Sequence, residues 1–277
     1  MIIWLASYPK SGNTWVRLFL NSLIFTSDSN VNINDIKIEQ FPSRKYFKGI
    51  ANDIDDMREF MQYCNIAQSK LNLDSKIKFF KTHNAFWRTG IYSFTDDKNT
   101  MGIIHIVRDP RNVITSIKNH YDYENYEKAL KFMEDEKNII GIKGSTKEMD
   151  LPTLISSWKT HYNSWKNLTT LKSRYILIKY EDLLKDPINE FNKICFFINK
   201  ISKIKFSEKN ILTAVENTNF EKLKKQEHSK GFKEAPKNNN KFFYLGPSND
   251  WQNLLDKDMK DRLEINFKQE MQDLSYL

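Results

Sequence analysis

The sequence predicts an α/β fold of three layers, in which helices cover both faces of a central parallel sheet. Short apolar runs that end at polar residues alternate along the chain with segments of helical period. Parallel strands need a crossover connection, and a helix fits each interval between these runs. Such sheets bind ligands at the carboxyl ends of their strands. The residues that follow each apolar run are therefore the candidate functional residues.

The elements follow one another in a regular order. Strands are predicted at residues 2–6, 77–81, 102–107 and 175–179, and helices after the first strand and around residues 54–71, 111–120, 153–168 and 188–198. Residues 222–241 are rich in Lys and Asn with little periodicity, which predicts a loop, and a final helix runs from about residue 256 to 271. No linker divides the 277 residues, so we expect a single domain over residues 1–277.

Composition narrows the class of protein. The net charge of +8 suits an anionic ligand, although lysine is abundant throughout the chain. No basic stripe interleaved with aromatic residues indicates nucleic acid binding. Cys64 and Cys195 provide neither a disulfide framework nor a zinc cluster, and no segment has the length of a membrane span. We therefore expect a cytoplasmic protein with no transmembrane segment and no metal; oligomeric state stays open.

The first strand leads into a candidate anion site. Residues 7–15 read Ser-Tyr-Pro-Lys-Ser-Gly-Asn-Thr-Trp and precede an apolar helix. Such a loop directs backbone N–H groups, the positive end of the helix dipole and one ammonium toward a single point. Lys10 precedes Gly12 and no glycine lies upstream, which weakens a Walker A reading. The alternative is a tight turn whose hydroxyl groups cap an ordinary helix.

The ends of two later strands add titratable groups. Lys81 and His83 share one face of the second strand, and a histidine with its ordinary pKa near 6.5 suits a general base. Arg108 lies at the exit of the third strand, before a helix that Asp109 and Pro110 would begin. A guanidinium donates two parallel hydrogen bonds to a phosphate. The alternatives are a structural histidine and a surface arginine beside a well-capped helix.

These segments together resemble one enzyme family. Residues 8–15 closely resemble the 5′-phosphosulfate loop of sulfotransferases that use 3′-phosphoadenosine 5′-phosphosulfate (PAPS). Residues 81–83 resemble the family's Lys-Thr-His segment, residues 108–116 its 3′-phosphate motif, and residues 158–165 and 180–183 two further segments. The resemblance implies a P-loop NTPase-like sulfotransferase fold and in-line sulfuryl transfer to a hydroxyl or amine. It also implies release of 3′-phosphoadenosine 5′-phosphate (PAP) and no metal.

The resemblance also implies roles for individual residues. His83 would be the general base, Lys10 would neutralise charge on the leaving phosphate oxygen, and Lys81 would stabilise the transferring group. The implied cofactor-binding residues are Lys10, Ser11, Gly12, Asn13, Thr14, Trp15, Arg108, Ser116, Tyr180, Thr218, Phe220 and Gly246. Among these, Trp15, Tyr180, Thr218 and Phe220 would surround the adenine.

The C-terminal motif departs from the family pattern. Many relatives carry Arg-Lys-Gly-x-x-Gly-Asp-Trp, whereas residues 244–251 read Tyr-Leu-Gly-Pro-Ser-Asn-Asp-Trp. Both cations are lost, so we expect weaker cofactor binding unless Lys237 or Lys241 replaces them. Residues 228–241 either close over the cofactor or form a solvated loop.

The acceptor is open at this point. Its pocket would be built from residues 33–53, 85–99, 121–150 and the stretch before residue 242, and a small alcohol, phenol, lipid or carbohydrate are all compatible with it. Two alternatives of another function stand beside the transferase. One is a nucleotide-dependent kinase on a similar fold, and the other is a non-catalytic module that binds a nucleotide or a sulfated glycan.

Overall fold

A central sheet of five parallel strands forms the middle of the molecule. The computed structural model describes residues 1–26, 31–141, 151–235 and 241–277. The strands are β1 (Ile2–Ser7), β2 (Glu39–Gln40), β3 (Lys78–Thr82), β4 (Arg88–Thr89), β5 (Tyr92–Ser93), β6 (Thr100–Val107), β7 (Ile139–Ile140), β8 (Thr153–Leu154) and β9 (Tyr175–Lys179). The central sheet has the order β2-β3-β1-β6-β9, and the pairs β4-β5 and β7-β8 form small antiparallel sheets of their own.

Helices flank this sheet. They are α1 (Asn13–Phe25), α2 (Met57–Leu71), α3 (Pro110–His120), α4 (Tyr126–Glu134), α5 (Trp158–Lys166), α6 (Tyr180–Lys185), α7 (Pro187–Ser202), α8 (Glu208–Asn217), α9 (Phe220–Lys230), α10 (Trp251–Leu254), α11 (Lys257–Asn266) and α12 (Lys268–Asp273). Short 3₁₀ helices occur at Arg44–Phe47, Asn72–Asp74, Thr169–Arg174 and Gly246–Ser248. The predicted three-layer α/β/α class is confirmed.

The central strand β1 shows why the sheet has helices on both faces. All six of its residues are buried, as expected for a parallel strand that is covered on both sides. Leu5 packs in a cluster with residues of α1, α7 and α8, whereas Trp4 packs in a second cluster with residues of α2 and α5. Side chains of consecutive strand residues point to opposite faces, so a continuous apolar run supplies both clusters.

The four predicted strands are confirmed to within two residues at each end, whereas two predicted helices and one predicted loop need correction. The helix predicted over 153–168 begins only at Trp158, because Ser157 caps it and residues 153–154 pair with β7. The predicted final helix is two helices, α11 and α12, which meet at Phe267.

The third correction concerns residues 222–241, where a loop was expected. Residues up to Lys230 instead form helix α9. Asn219 caps its start, and Gly231, with φ +69°, caps its end. Only Leu223 and Glu227 of this helix are buried. With so few apolar residues on a lysine-rich helix, periodicity gives almost no signal. Residues 236–240, including Lys237, and residues 142–150 of the expected acceptor loops lie outside the described residues.

Two further observations bear on composition. Cys64 and Cys195 are both buried and free, the first in α2 and the second in α7. Across the described ranges, no helix combines the length and the apolar character that crossing a membrane requires.

Candidate active site

A cavity of about 670 Å³ opens at the carboxyl ends of β1, β3 and β6. The expectation that Lys10, His83 and Arg108 meet at one rim is confirmed, since all three line it. The other predicted site residues in its wall are Gly12, Asn13, Thr14, Trp15, Lys81, Ser116, Tyr180, Thr218, Phe220 and Gly246. Ser11 does not line the cavity; it is buried, and its hydroxyl oxygen has no hydrogen-bond partner among the described residues.

The loop between β1 and α1 is held in a tight, strained shape. Lys10 and Gly12 both have positive φ, +67° and +99°. The Asn13 amide donates to the carbonyl oxygen of Leu5 at 2.8 Å, which ties the start of α1 back to the strand. A Cβ at Gly12 would lie 2.5 Å from the ring of Tyr180. In the first turn of α1, the N–H of Trp15 donates to the carbonyl oxygen of Gly12 at 3.0 Å. Helix geometry gives the N–H groups of Asn13 and Thr14 no acceptor within the helix, so this end of α1 suits an anion.

The Lys10 ammonium is enclosed by aromatic and basic groups. Its Nζ lies 3.5 Å from Nδ1 of His120 and 4.0 Å from the ring centroid of Phe242. Burial, with the nearby charges of Lys81 and Arg108, lowers the pKa of Lys10 to about 7. An anion bound beside this group would reverse that shift, because it favours the charged form.

His83 is fixed in one tautomer. Its Nδ1 lies 2.7 Å from the carbonyl oxygen of Ser7, which can only accept, so Nδ1 carries the ring proton. Burial and the neighbouring Lys81 hold the pKa of His83 well below its usual range. The ring is therefore neutral at physiological pH, and Nε2 is its remaining proton acceptor.

A buried ion cluster beside His83 was not anticipated from the sequence. Both nitrogens of the Arg17 fork donate to the carboxylate of Glu234, Nη1 at 3.3 Å. Nζ of Lys81 lies 3.7 Å from Oε2 of the same carboxylate. Burial lowers the pKa of Lys81 to about 8 although Glu234 acts to raise it. Against the effect of burial, Lys81 and Arg17 hold the pKa of Glu234 at about 2.

The Arg108 guanidinium anchors the other end of the cavity. Its Nη1 donates to the carbonyl oxygen of Lys10 and to Oγ of Ser116, both at 3.3 Å. The guanidinium lies 4.1 Å from the ring centroid of Tyr180, and its Nε has no hydrogen-bond partner in the part of the chain that the structure describes. Asn249, which sequence reasoning also missed, donates to Oγ of Ser116 at 3.0 Å. The sequence feature that could have indicated Asn249 is an amide side chain within the altered C-terminal motif.

The altered C-terminal motif does line the cavity. Tyr244, Leu245 and Gly246 are all in its wall, so the lost cations fall at a ligand-facing position. Gly246 has φ +54°, and a Cβ there would lie 2.2 Å from the ring of Phe220. Lys241 is exposed and contributes no wall to the cavity. In the described structure, Lys241 therefore does not replace either cation of the family motif.

Helix α9 supports two parts of the cavity wall, the Gly246 turn and the aromatic residues Phe242 and Phe243. Phe220, at its start, packs against the Gly246 turn. One turn from its end, the buried Glu227 carboxylate accepts from the backbone N–H of Phe242 at 2.7 Å and of Phe243 at 3.0 Å. The aromatic wall near Lys10 is thus held by a side chain of the helix.

The cavity has the chemistry of a site for a phosphorylated, planar ligand. Trp15 and Tyr180 lie edge to face at 5.9 Å, and Phe220 adds a third aromatic wall. Two residues of the same wall carry a buried polar atom that has no hydrogen-bond partner within the described ranges, namely Nε1 of Trp15 and Nε of Arg108. Buried groups of this kind are normally satisfied, so a ligand is the expected partner. Within the described residues, no group of three His, Cys, Asp or Glu could hold a metal ion.

Known proteins of one family are similar to this chain. Residues 2–275 match the family model described as the sulfotransferase domain. Sulfotransferase 1 family member D1 of Mus musculus is 23% identical over 294 residues, covering 98% of this chain and 83% of the relative. Cytosolic sulfotransferase 15 of Arabidopsis thaliana is also 23% identical, covering 94% of this chain and 68% of the relative.

Solved structures show the same fold. A mouse sulfotransferase in complex with PAP has a TM-score of 0.60 and 19% identity, covering 97% of this chain and 83% of its own. Retinol dehydratase in complex with retinol and PAP has a TM-score of 0.59 and 20% identity, covering 98% and 81%. The family match extends over nearly all of the 277 residues. The chain belongs to the sulfotransferase domain family.

Proposed function

We propose that this sulfotransferase moves a sulfuryl group from PAPS to a hydroxyl or amine of a small acceptor, with PAP as the second product. The observation that carries the proposal is the fixed tautomer of His83 in the same cavity as Lys10 and Lys81. A neutral imidazole whose Nε2 accepts protons, beside two ammonium groups, is suited to transfer of an anionic group from one oxygen to another.

Each of the three side chains has a distinct role. Nε2 of His83 takes the proton of the acceptor as the acceptor atom bonds to sulfur. The bond between sulfur and the bridging oxygen of the donor breaks, and the Lys10 ammonium stabilises the charge that develops on that oxygen. The Lys81 ammonium stabilises the oxygens of the group in transit. The protein contributes positioning and electrostatics, since attacking and leaving atoms must lie in line.

The remaining wall residues bind the donor. The first turn of α1, with Ser11, Asn13 and Thr14 at or near it, is placed to hold the 5′ phosphate. Arg108 and Ser116 are placed to hold the 3′ phosphate, with Asn249 orienting the Ser116 hydroxyl. Trp15, Tyr180, Thr218 and Phe220 all line the cavity, as does Gly246. We assign the first four to the adenine, and the backbone of Gly246 to a further contact with the donor.

The acceptor side is mixed in character. Phe242, Tyr121 and Ile140 give it apolar walls, and Gln40 adds an amide. Such a surface suits a small alcohol or phenol more than a polyanionic glycan. The complexes of retinol dehydratase with retinol and with androsterone support this class. The cytosolic names of relatives support a cytoplasmic location.

The test separates chemistry from binding. His83→Ala should abolish transfer from labelled PAPS across a panel of alcohols, phenols and amines, while calorimetry shows PAP binding within about threefold of wild type. Arg108→Ala should weaken PAP binding by about ten- to a hundredfold, since it removes a charge-assisted contact. Residual transfer in His83→Ala at the wild-type rate would contradict the assigned base.

The same assays address the other two readings. Binding of ATP with magnesium in preference to PAP would favour a kinase. Tight PAP binding with no transfer to any acceptor in the panel would favour a non-catalytic binding module.

A further inference from the structure

A carboxylate lies in a cavity that is built for an anion. Among the described residues that line it, Glu234 is the single acid, whereas Lys10, Lys81, Arg108 and Lys233 are basic. Glu234 follows α9 and belongs to the short segment after Gly231. A negative charge there opposes binding of an anionic donor. Its presence therefore calls for a compensating role.

The contacts of Glu234 define that role. Its carboxylate bridges Arg17 of α1, whose side chain is 3% exposed, and Lys81 of β3 at 3.7 Å. Lys81 and Arg17 are also cations that act on His83, and each disfavours its protonated form. The carboxylate thus pairs with two positive charges that oppose proton acceptance by the base.

We propose that Glu234 is a positioning residue for the transfer step. Its carboxylate shields His83 from the positive charges of Arg17 and Lys81, and it keeps Lys81 charged. The inference rests on the proposed roles of His83 and Lys81. When His83 accepts the acceptor's proton, it becomes a further cation in a buried site. The field of the Glu234 carboxylate offsets that charge, because Coulomb interactions are strong where water is excluded.

Other charged groups around these residues act in known directions. His161 of α5 opposes protonation of His83, and Arg17 opposes that of Lys81. Lys10 and Lys81 both lower the pKa of His120 on α3. The pKa of Lys10 is lowered by Lys81 and Arg108, whereas Glu227 of α9 and Glu234 raise it. Glu234 is therefore the acid that favours the charged form of both Lys10 and Lys81.

A second role for the same contacts makes a different prediction. If the pair between Arg17 and Glu234 only latches the segment after Gly231 over the cavity, its loss changes access and KM. A latch leaves the ionisation of His83 and Lys81 untouched. The pH profile of kcat/KM therefore separates the two roles, because it reports the titration of the essential base and acid in the free enzyme.

The experiment compares three variants in the full chain with PAPS and an accepted alcohol or phenol. Glu234→Gln should move both limbs of the profile to lower pH by about one unit, the shift expected when an opposite charge within hydrogen-bond range is removed. Glu234→Gln with Arg17→Gln restores the net charge and should return both limbs toward wild type. Glu221→Gln, at an exposed position of α9, makes the same charge change and should leave the profile unchanged.

Each outcome decides. Acid shifts of both limbs in the single variant, reversed in the double variant, support the inference. Unmoved limbs with a raised KM overturn it and make Glu234 a latch. If Glu234→Gln no longer binds PAP, Glu234→Asp, which keeps the charge, is measured instead. Limbs of its pH profile at the wild-type positions support the inference, and displaced limbs overturn it. Transfer that persists in His83→Ala overturns the proposed function instead, so the two failures are distinct.

Discussion

The low pKa of Lys10 predicts that donor-site binding takes up a proton. The pKa of Lys10 is about 7, because the ammonium is buried and lies near Lys81 and Arg108. A bound phosphate favours the ammonium, so binding raises this pKa again. Affinity for PAP is therefore greatest below the pKa that Lys10 has without a bound anion, and it is lost as pH rises through that value.

The loss of PAP affinity at high pH follows the fraction of Lys10 that is charged. With a pKa of about 7, the ammonium fraction is about a half at pH 7, a tenth at pH 8 and a hundredth at pH 9. The Kd for PAP should therefore rise about fivefold from pH 7 to 8 and about fiftyfold from pH 7 to 9. Phosphate groups, with a second pKa near 6, are already ionised over this range. Lys81, with a pKa of about 8, steepens the loss at the upper end.

The assay is calorimetric titration with PAP at pH 7, 8 and 9, repeated in two buffers of different ionisation enthalpy. Proton uptake should be about half an equivalent at pH 7 and about nine-tenths at pH 8. Lys10→Arg keeps a permanent charge and should flatten the dependence between pH 7 and 8. Wild-type affinity that is constant from pH 7 to 9, with no proton uptake, would refute this account of the Lys10 ammonium.

Two further predictions concern the altered C-terminal motif. Gly246→Ala would set a Cβ 2.2 Å from the Phe220 ring, and overpacking of about 1–3 kcal/mol should weaken PAP binding by about tenfold or more. Gly90→Ala meets a similar φ of +60° with no atom within 4 Å, so equal losses in both variants, measured by titration and thermal unfolding, would argue against the clash. Tyr244→Arg combined with Leu245→Lys should tighten PAP binding by at least about tenfold through charge-assisted contacts. Unchanged affinity in that variant would mean that the lost cations are not the limiting feature.

Much of the site could be predicted because it lies at strand ends. Lys10, Lys81 and Arg108 follow or end apolar runs, and parallel strands bring their carboxyl ends to one edge. The helix cap at Asp109 and the first helical residue Pro110 were also readable, and both are confirmed. Local pattern and the order of strands carry this information, and the resemblance adds chemistry to it.

The rest depends on contacts that no local pattern records. Glu234 and Arg17 meet across 217 positions in sequence, and the segment that carries Glu234 has no periodicity. Helix α9 was missed because solvent surrounds most of it, so few apolar residues mark its buried face. Asn249 reaches Ser116 only through the fold of the C-terminal turn. Tertiary contact decides each of these cases.

Helix α9 has a consequence for redesign of the proposed acceptor pocket. One end of the helix sets Phe220 against the Gly246 turn on the proposed nucleotide side, and Glu227 near the other end fixes the backbone at Phe242, whose ring lies beside Lys10. A substitution that repacks the aromatic wall at Phe242 therefore also acts on the helix that supports the proposed adenine side. Engineering of acceptor choice at this wall will therefore alter retention of the spent nucleotide as well, and selection should screen for both properties together.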